Sequence, residues 1–157
     1  MEEWKGMKSV ADIFSNSTFM LKAIADELDA QTDVKNKELM ASAYIPQIVL
    51  KAFSCEMYIK SYISFQGGTV PKMHNLYELY RNLNNQFKSK LKKIITQKMK
   101  VHKNDYTIDD VEVDIKNIAL TFEEWRYFYE KSNSINIIFL EAFFSSLKDP
   151  SITLPHT

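Results

Sequence analysis

His74 is the residue of this chain best suited to move a proton, and Arg126, with Tyr127 and Glu130 close by in sequence, is best suited to meet a developing negative charge. An imidazole serves as general base or acid near neutral pH, and a guanidinium, a phenol or a carboxylate can orient it or stabilise an anion. Such a site needs a fold that carries residue 74 to residues 126–130. The competing reading makes each residue structural, so that His74 caps or packs at a turn, Arg126 pairs with Glu130 or Glu56, and the tyrosines fill the core. The structural reading is preferred, and no residue is assigned a catalytic role on sequence grounds.

Two other groups carry charge in a pattern. Glu56 and Lys60 stand four apart, the spacing of a helical ion pair, on a segment so apolar that partial burial is expected; a buried pair fixes packing rather than catalysing. Lys88, Lys90, Lys92, Lys93, Lys98, Lys100 and Lys103, with His102, form a basic block in which no acid occurs between Glu78 and Asp105. This block is the candidate nucleic-acid-binding surface, and because aromatics are scarce in it, it would read phosphate charge rather than base sequence. Asp105, Asp109, Asp110, Glu112 and Asp114 follow with the opposite sign and are expected to neutralise part of it, either within the bundle or across a dimer.

Metal and cofactor chemistry find no support. His74, His102 and His156 show no ligand spacing, and the acidic run lacks the glycine turn and terminal glutamate of a calcium loop. There is no glycine-rich phosphate loop. The single cysteine, Cys55, lies inside an apolar run, where an inert buried thiol is expected.

Helices must position these residues, because only three glycines and four prolines punctuate the chain and apolar spacings of three and four recur between them. The first helix is expected to start at Ser15-Asn16-Ser17, good N-cap residues, and to bury Phe19, Met20, Ala23, Ile24 and Leu28, ending near Ala30. A polar linker, 31–36, follows. Residues 37–65 read as a long helix kinked or restarted at Pro46, with the apolar half after residue 48 at the centre of the bundle.

Gly67-Gly68 and Pro71 then close it, and Asn75 with Glu78 matches a capping box opening a helix with Leu76, Leu79, Tyr80 and Leu83 inside. Asn82, Asn84 and Asn85 mark a break before Phe87, Leu91, Ile94, Ile95 and Met99. Ile108, Val111, Ile115, Ile118 and Phe122 make another stripe. Thr121 to Glu124 is a second capping-box pattern, leading through Trp125 and Phe128. A last helix from Ser134 to Leu147 ends at Asp149-Pro150, and 148–157 is expected to be an extended or disordered tail.

The segment Cys55 to Ile63 with its Glu56-x-x-x-Lys60 pattern, the glycine and proline turn, and His74-Asn75-Leu76-Tyr77-Glu78-Leu79 together resemble the HEPN superfamily. Phe122 to Glu130, with Arg126-Tyr127, is similar to the segment that follows in bacterial members of uncharacterised function. The resemblance covers residues 40–147. It implies an all-α, up-and-down bundle of five to six helices, a homodimer, and a place in toxin-antitoxin, defence or RNA-processing systems. Catalytic members are metal-independent ribonucleases built on an arginine followed, after a short spacer, by a histidine. This chain departs from that pattern: its only arginines are Arg81 and Arg126, His102 is too far from the first, and no histidine follows the second at that spacing.

A non-catalytic helical binding or regulatory module is therefore expected, with RNA, a nucleotide or a protein as partner. The alternatives are a ribonuclease with a site rearranged around His74 and Arg126, and a homodimeric scaffold whose interface is the aromatic C-terminal helix with Phe139, Phe143 and Phe144.

Composition agrees with a single domain over 1–157: the length is that of one ordinary domain and 45% of residues are apolar. The 20 basic and 20 acidic residues cancel, so any attraction to a polyanion must be local. The acidic N-terminus lacks the apolar core of a secretory signal, and the run from Ile135 to Phe144 is shorter than the ~20 residues that span a bilayer, so a cytoplasmic protein without a membrane segment is expected.

Overall fold

The computed structural model describes residues 2–30, 34–119, 136–152 and 154, and these are helical without a strand. Among them are six helices: α1 (Glu3–Asp29), α2 (Val34–Phe65), α3 (Leu76–Arg81), α4 (Asn85–Met99), α5 (Asp110–Asn117) and α6 (Ile137–Leu147). The bundle is all-α, as the spacing predicts. No described helix is long and apolar enough to cross a membrane.

α2 is the centre. Its 32 residues reach about 48 Å at 1.5 Å per residue, and it packs against α1, α3 and α6 while α4 packs against α5 and α6. Trp4 meets Phe65, Ala11 meets Ser54 and Phe14 meets Phe53, so α1 and α2 run antiparallel. Tyr62 reaches Leu147 and Lys51 reaches Glu141, which sets α6 parallel to α2. Tyr62, Tyr80, Phe139, Phe143 and Phe144 are among the largest fully buried side chains, and burial of such a side chain contributes roughly 1.5–3 kcal/mol.

α1 departs from the expectation. It begins at Glu3, so Ser15 and Ser17 lie in mid-helix rather than at a cap. Ser17 Oγ donates to the Ile13 carbonyl and Thr18 Oγ1 to that of Ser15, which satisfies hydroxyls inside a helix. The buried face is Trp4, Lys8, Ala11, Ser15, Thr18 and Ala25, whereas Phe19, Met20 and Ile24 are exposed. Small residues let α1 lie close to α2, and the seam is sealed by polar bonds: Ser54 Oγ donates to the Ala11 carbonyl at 2.8 Å and Tyr58 Oη to Asp12 at 2.6 Å.

α2 continues through Pro46 with no restart. The proline and Ser42, whose carbonyl loses its helical donor, are both exposed, so water can replace the missing bond. At the far end, Gly68 N–H bonds the Ile63 carbonyl and Gly67 N–H that of Ser64, while Gly67 has φ +77°. These two bonds with a left-handed residue make a Schellman stop, as Gly67-Gly68 predicts.

α3 opens on Asn75, whose side chain accepts from the Tyr77 and Glu78 amides. Only half of the capping box forms, because the Glu78 carboxylate pairs with Arg81 instead. Asn84 caps α4, and Phe87, Leu91, Ile95 and Met99 form its buried face. In α5 the stripe holds at Val111 and Ile115 and continues to buried Ile118, but Ile108 is exposed. Asn136 caps α6 by accepting from Phe139 N–H.

Phe139, Phe143 and Phe144 are buried inside this one chain, so they form no exposed patch for a partner. Beyond α6 the chain does not leave the bundle at once. Ile152 and Leu154 are buried against the core, after a turn in which Asp149 accepts from Ser151. The second capping-box pattern, Phe122 and the Trp125 region lie outside the described residues.

Candidate functional site

Glu56 sits within α2 at 1% exposure, where an unpaired carboxylate would be costly. Two side chains meet it. Lys60, one turn later, donates to Oε1 at 2.7 Å, and His74 Nδ1 lies 3.0 Å from Oε1 and 3.2 Å from Oε2. The Schellman stop reverses the chain after α2, and the Asn75 cap begins α3 one residue past His74, so the two signals together bring the histidine back to residue 56. A further bond, Leu76 N–H to the Ala119 carbonyl at 3.0 Å, fastens this corner to the end of α5.

A carboxylate only accepts, so Nδ1 is assigned the ring hydrogen in this bond. The imidazole remains 54% exposed on a base that is buried. A buried carboxylate orienting a surface histidine is an arrangement found for general bases, and it is equally a way to tie a turn to a helix. Arg126, Tyr127 and Glu130 lie outside the described residues. Glu56 and Lys60 form the partly buried pair that their spacing predicts.

The basic block divides by environment. Lys92 donates to Glu112 at 2.8 Å; that hydrogen bond raises the lysine pKa and holds the Glu112 carboxyl below its ordinary range. Lys98 donates to Ser145 Oγ at 2.9 Å, Lys88 reaches the Arg81 carbonyl, and Lys103 lies over the Tyr106 ring. Lys90 and Lys93 on α4 and Lys100 at its C-cap are exposed, and their spacing of three and seven puts them on one outward stripe. The acids that follow mostly serve their own segment. Asp110 accepts from the Thr107 amide and hydroxyl, which lowers its pKa, and Asp114 accepts from Tyr106.

The sequence gives no sign of a cavity of about 480 Å³ where α1, α2, α4 and α6 meet. Lys51 and Glu141 pair across it, and Lys98 with Ser145 lines another wall. The signals were present as isolated charges in apolar helices, Lys51 and Glu141, but nothing local shows that they face each other. A second feature without a local signal is Lys148, which donates to Ser15 and lies between the rings of Phe19 and Phe144; burial pushes its pKa down. Cys55 is fully buried, and burial pushes its thiol far up, which suits an inert residue. No group of three metal-ligating side chains occurs among the described residues.

A scan against protein-family models, a search of curated proteins and a search of solved structures each gave no match.

Proposed function

We propose that this protein is a non-catalytic, HEPN-like helical binding module that docks RNA through the outer face of α4, working as a homodimer in a regulatory or defence setting. The observation that carries the reading is the uneven use of the acidic run. Of its five carboxylates, only Glu112 takes part in an ion pair with a lysine among the described residues. Lys90, Lys93 and Lys100 are thereby left as an exposed cationic stripe in a chain of zero formal charge. Ammonium groups on one face of a rigid helix suit phosphates along a strand and confer little sequence preference. The homodimer and the setting rest on the resemblance; burial of the aromatic face of α6 directs the search for an interface elsewhere.

The His74–Glu56 bond favours one second reading, a ribonuclease with a rearranged site in which Glu56 orients His74 as the base. A single experiment separates the two. A fluorescent single-stranded RNA is titrated with the protein, and its length is followed on a gel, using wild type, the triple variant Lys90→Gln, Lys93→Gln, Lys100→Gln, and His74→Ala. Binding lost in the triple variant, with the RNA intact throughout, supports the binding module. Cleavage that disappears in His74→Ala replaces it with the enzyme.

A further inference from the structure

The cavity between α1, α2, α4 and α6 has the size and chemistry of a ligand site. Its volume of about 480 Å³ falls in the range of ~300–1,000 Å³ typical of small-molecule pockets. Ala25, Ile48, Ile137, Leu140 and Ala142 supply apolar wall from three different helices. The polar groups converge from α1, α2, α4 and α6.

The cations around the cavity are not equally matched. Lys22 is paired with Asp26, and Lys51 is held by Glu141 and by Gln47 Oε1. Lys98 differs: its ammonium is partly buried, it donates to the neutral Ser145 hydroxyl at 2.9 Å, and no described carboxylate forms an ion pair with it. Asp149 is near enough for Lys98 to be a minor cause of its lowered pKa, but that carboxylate accepts from Ser151. His102 lines the same cavity one turn beyond Lys98. A partly desolvated ammonium facing a hydroxyl gains a charge-assisted bond when an anion arrives, and the apolar wall is matched by hydrocarbon.

We infer that this cavity binds a small amphipathic anion, with its carboxylate or phosphate at Lys98 and His102 and its apolar body against Ile48, Leu140 and Ala142. This site is independent of RNA docking, because Lys90, Lys93 and Lys100 face outward.

The test is calorimetric titration of the full chain with four chain-matched probes: decanoate, decyl phosphate, decylammonium and decanol. Saturable one-to-one binding is expected for at least one of the two anions, about tenfold tighter than for decylammonium or decanol, and the tighter anion identifies the headgroup. Lys98→Gln should weaken the anion about tenfold and leave decanol unchanged. Ala25→Leu, which adds volume to the wall, should weaken decanoate, while the α4 triple variant should bind it as wild type does. Absence of saturable anion binding, equal binding of decylammonium, or an unchanged affinity in Lys98→Gln would overturn the inference.

Discussion

His74 Nδ1 lies 3.0 Å from Glu56 Oε1, joining a surface histidine before α3 to a carboxylate buried in α2, 18 residues earlier in the chain. Lys60 shares the same oxygen, so the carboxylate is the keystone of the corner. Glu56→Leu should therefore destabilise the fold by about 3 kcal/mol, because Lys60 is left nearly buried without its counter-charge. Glu56→Leu with Lys60→Met should recover most of that loss, and His74→Ala alone should cost under about 1 kcal/mol, since its ring is largely solvated. Urea unfolding of the four proteins measures all three; a double variant no more stable than Glu56→Leu would contradict the pairing.

Gly67 has φ +77°, and a Cβ there meets no atom within 4 Å. Gly67→Ala should thus cost about 1–2 kcal/mol through backbone conformation alone. At Gly68 the obstacle is different: a Cβ would stand 3.0 Å from Ile63 Cγ2 and 3.1 Å from its carbonyl oxygen. Gly68→Ala should cost less in an Ile63→Ala background, which removes Cγ2, than in wild type, and the cost of Gly67→Ala should be the same in both. Thermal unfolding of the single and double variants distinguishes strain from crowding.

The sequence reveals this corner because each of its parts is local: two glycines for a left-handed stop, an asparagine cap, a helical Glu-Lys spacing. The stripe of α4 is legible for the same reason. α1 is not, because Ser15-Asn16-Ser17 is a good cap in isolation and becomes helix interior only when Ser54, Tyr58 and Lys148 approach from other elements. Phe19, Met20 and Ile24 are apolar and exposed, so reading their spacing as a buried face inverts the helix. The cavity likewise depends on which faces of four helices meet, and no spacing within one helix encodes that.

Glu112 is held below its ordinary pKa by Lys92. A carboxylate with a lowered folded pKa stabilises the fold above its unfolded value of about 4.3, and that contribution disappears as pH falls through the folded value. The side chain is 42% exposed, so solvent screening limits the pair to roughly 0.2–1 kcal/mol. Glu112→Gln should lower stability by that amount at pH 7 and converge on wild type as the pH falls through the folded value, as read from denaturant midpoints across the acid range.

Tyr80 is 1% exposed, and among the described residues its hydroxyl has no partner in hydrogen-bonding geometry. Burial raises its pKa, with the Lys92 ammonium opposing the rise. Removing an unsatisfied buried hydroxyl relieves its desolvation cost, so Tyr80→Phe should leave stability unchanged or raise it by up to about 1 kcal/mol. A loss above that would show that Lys92 bonds the phenol in solution.

The most direct test of RNA docking through α4 is the salt dependence of binding to a single-stranded RNA, measured for wild type and for Lys90→Gln, Lys93→Gln, Lys100→Gln. Three phosphate contacts on a single strand predict a slope of about −2 in log affinity against log salt, and the triple variant should lose both that slope and most of the affinity. Equal slopes and affinities in the two proteins would contradict the account.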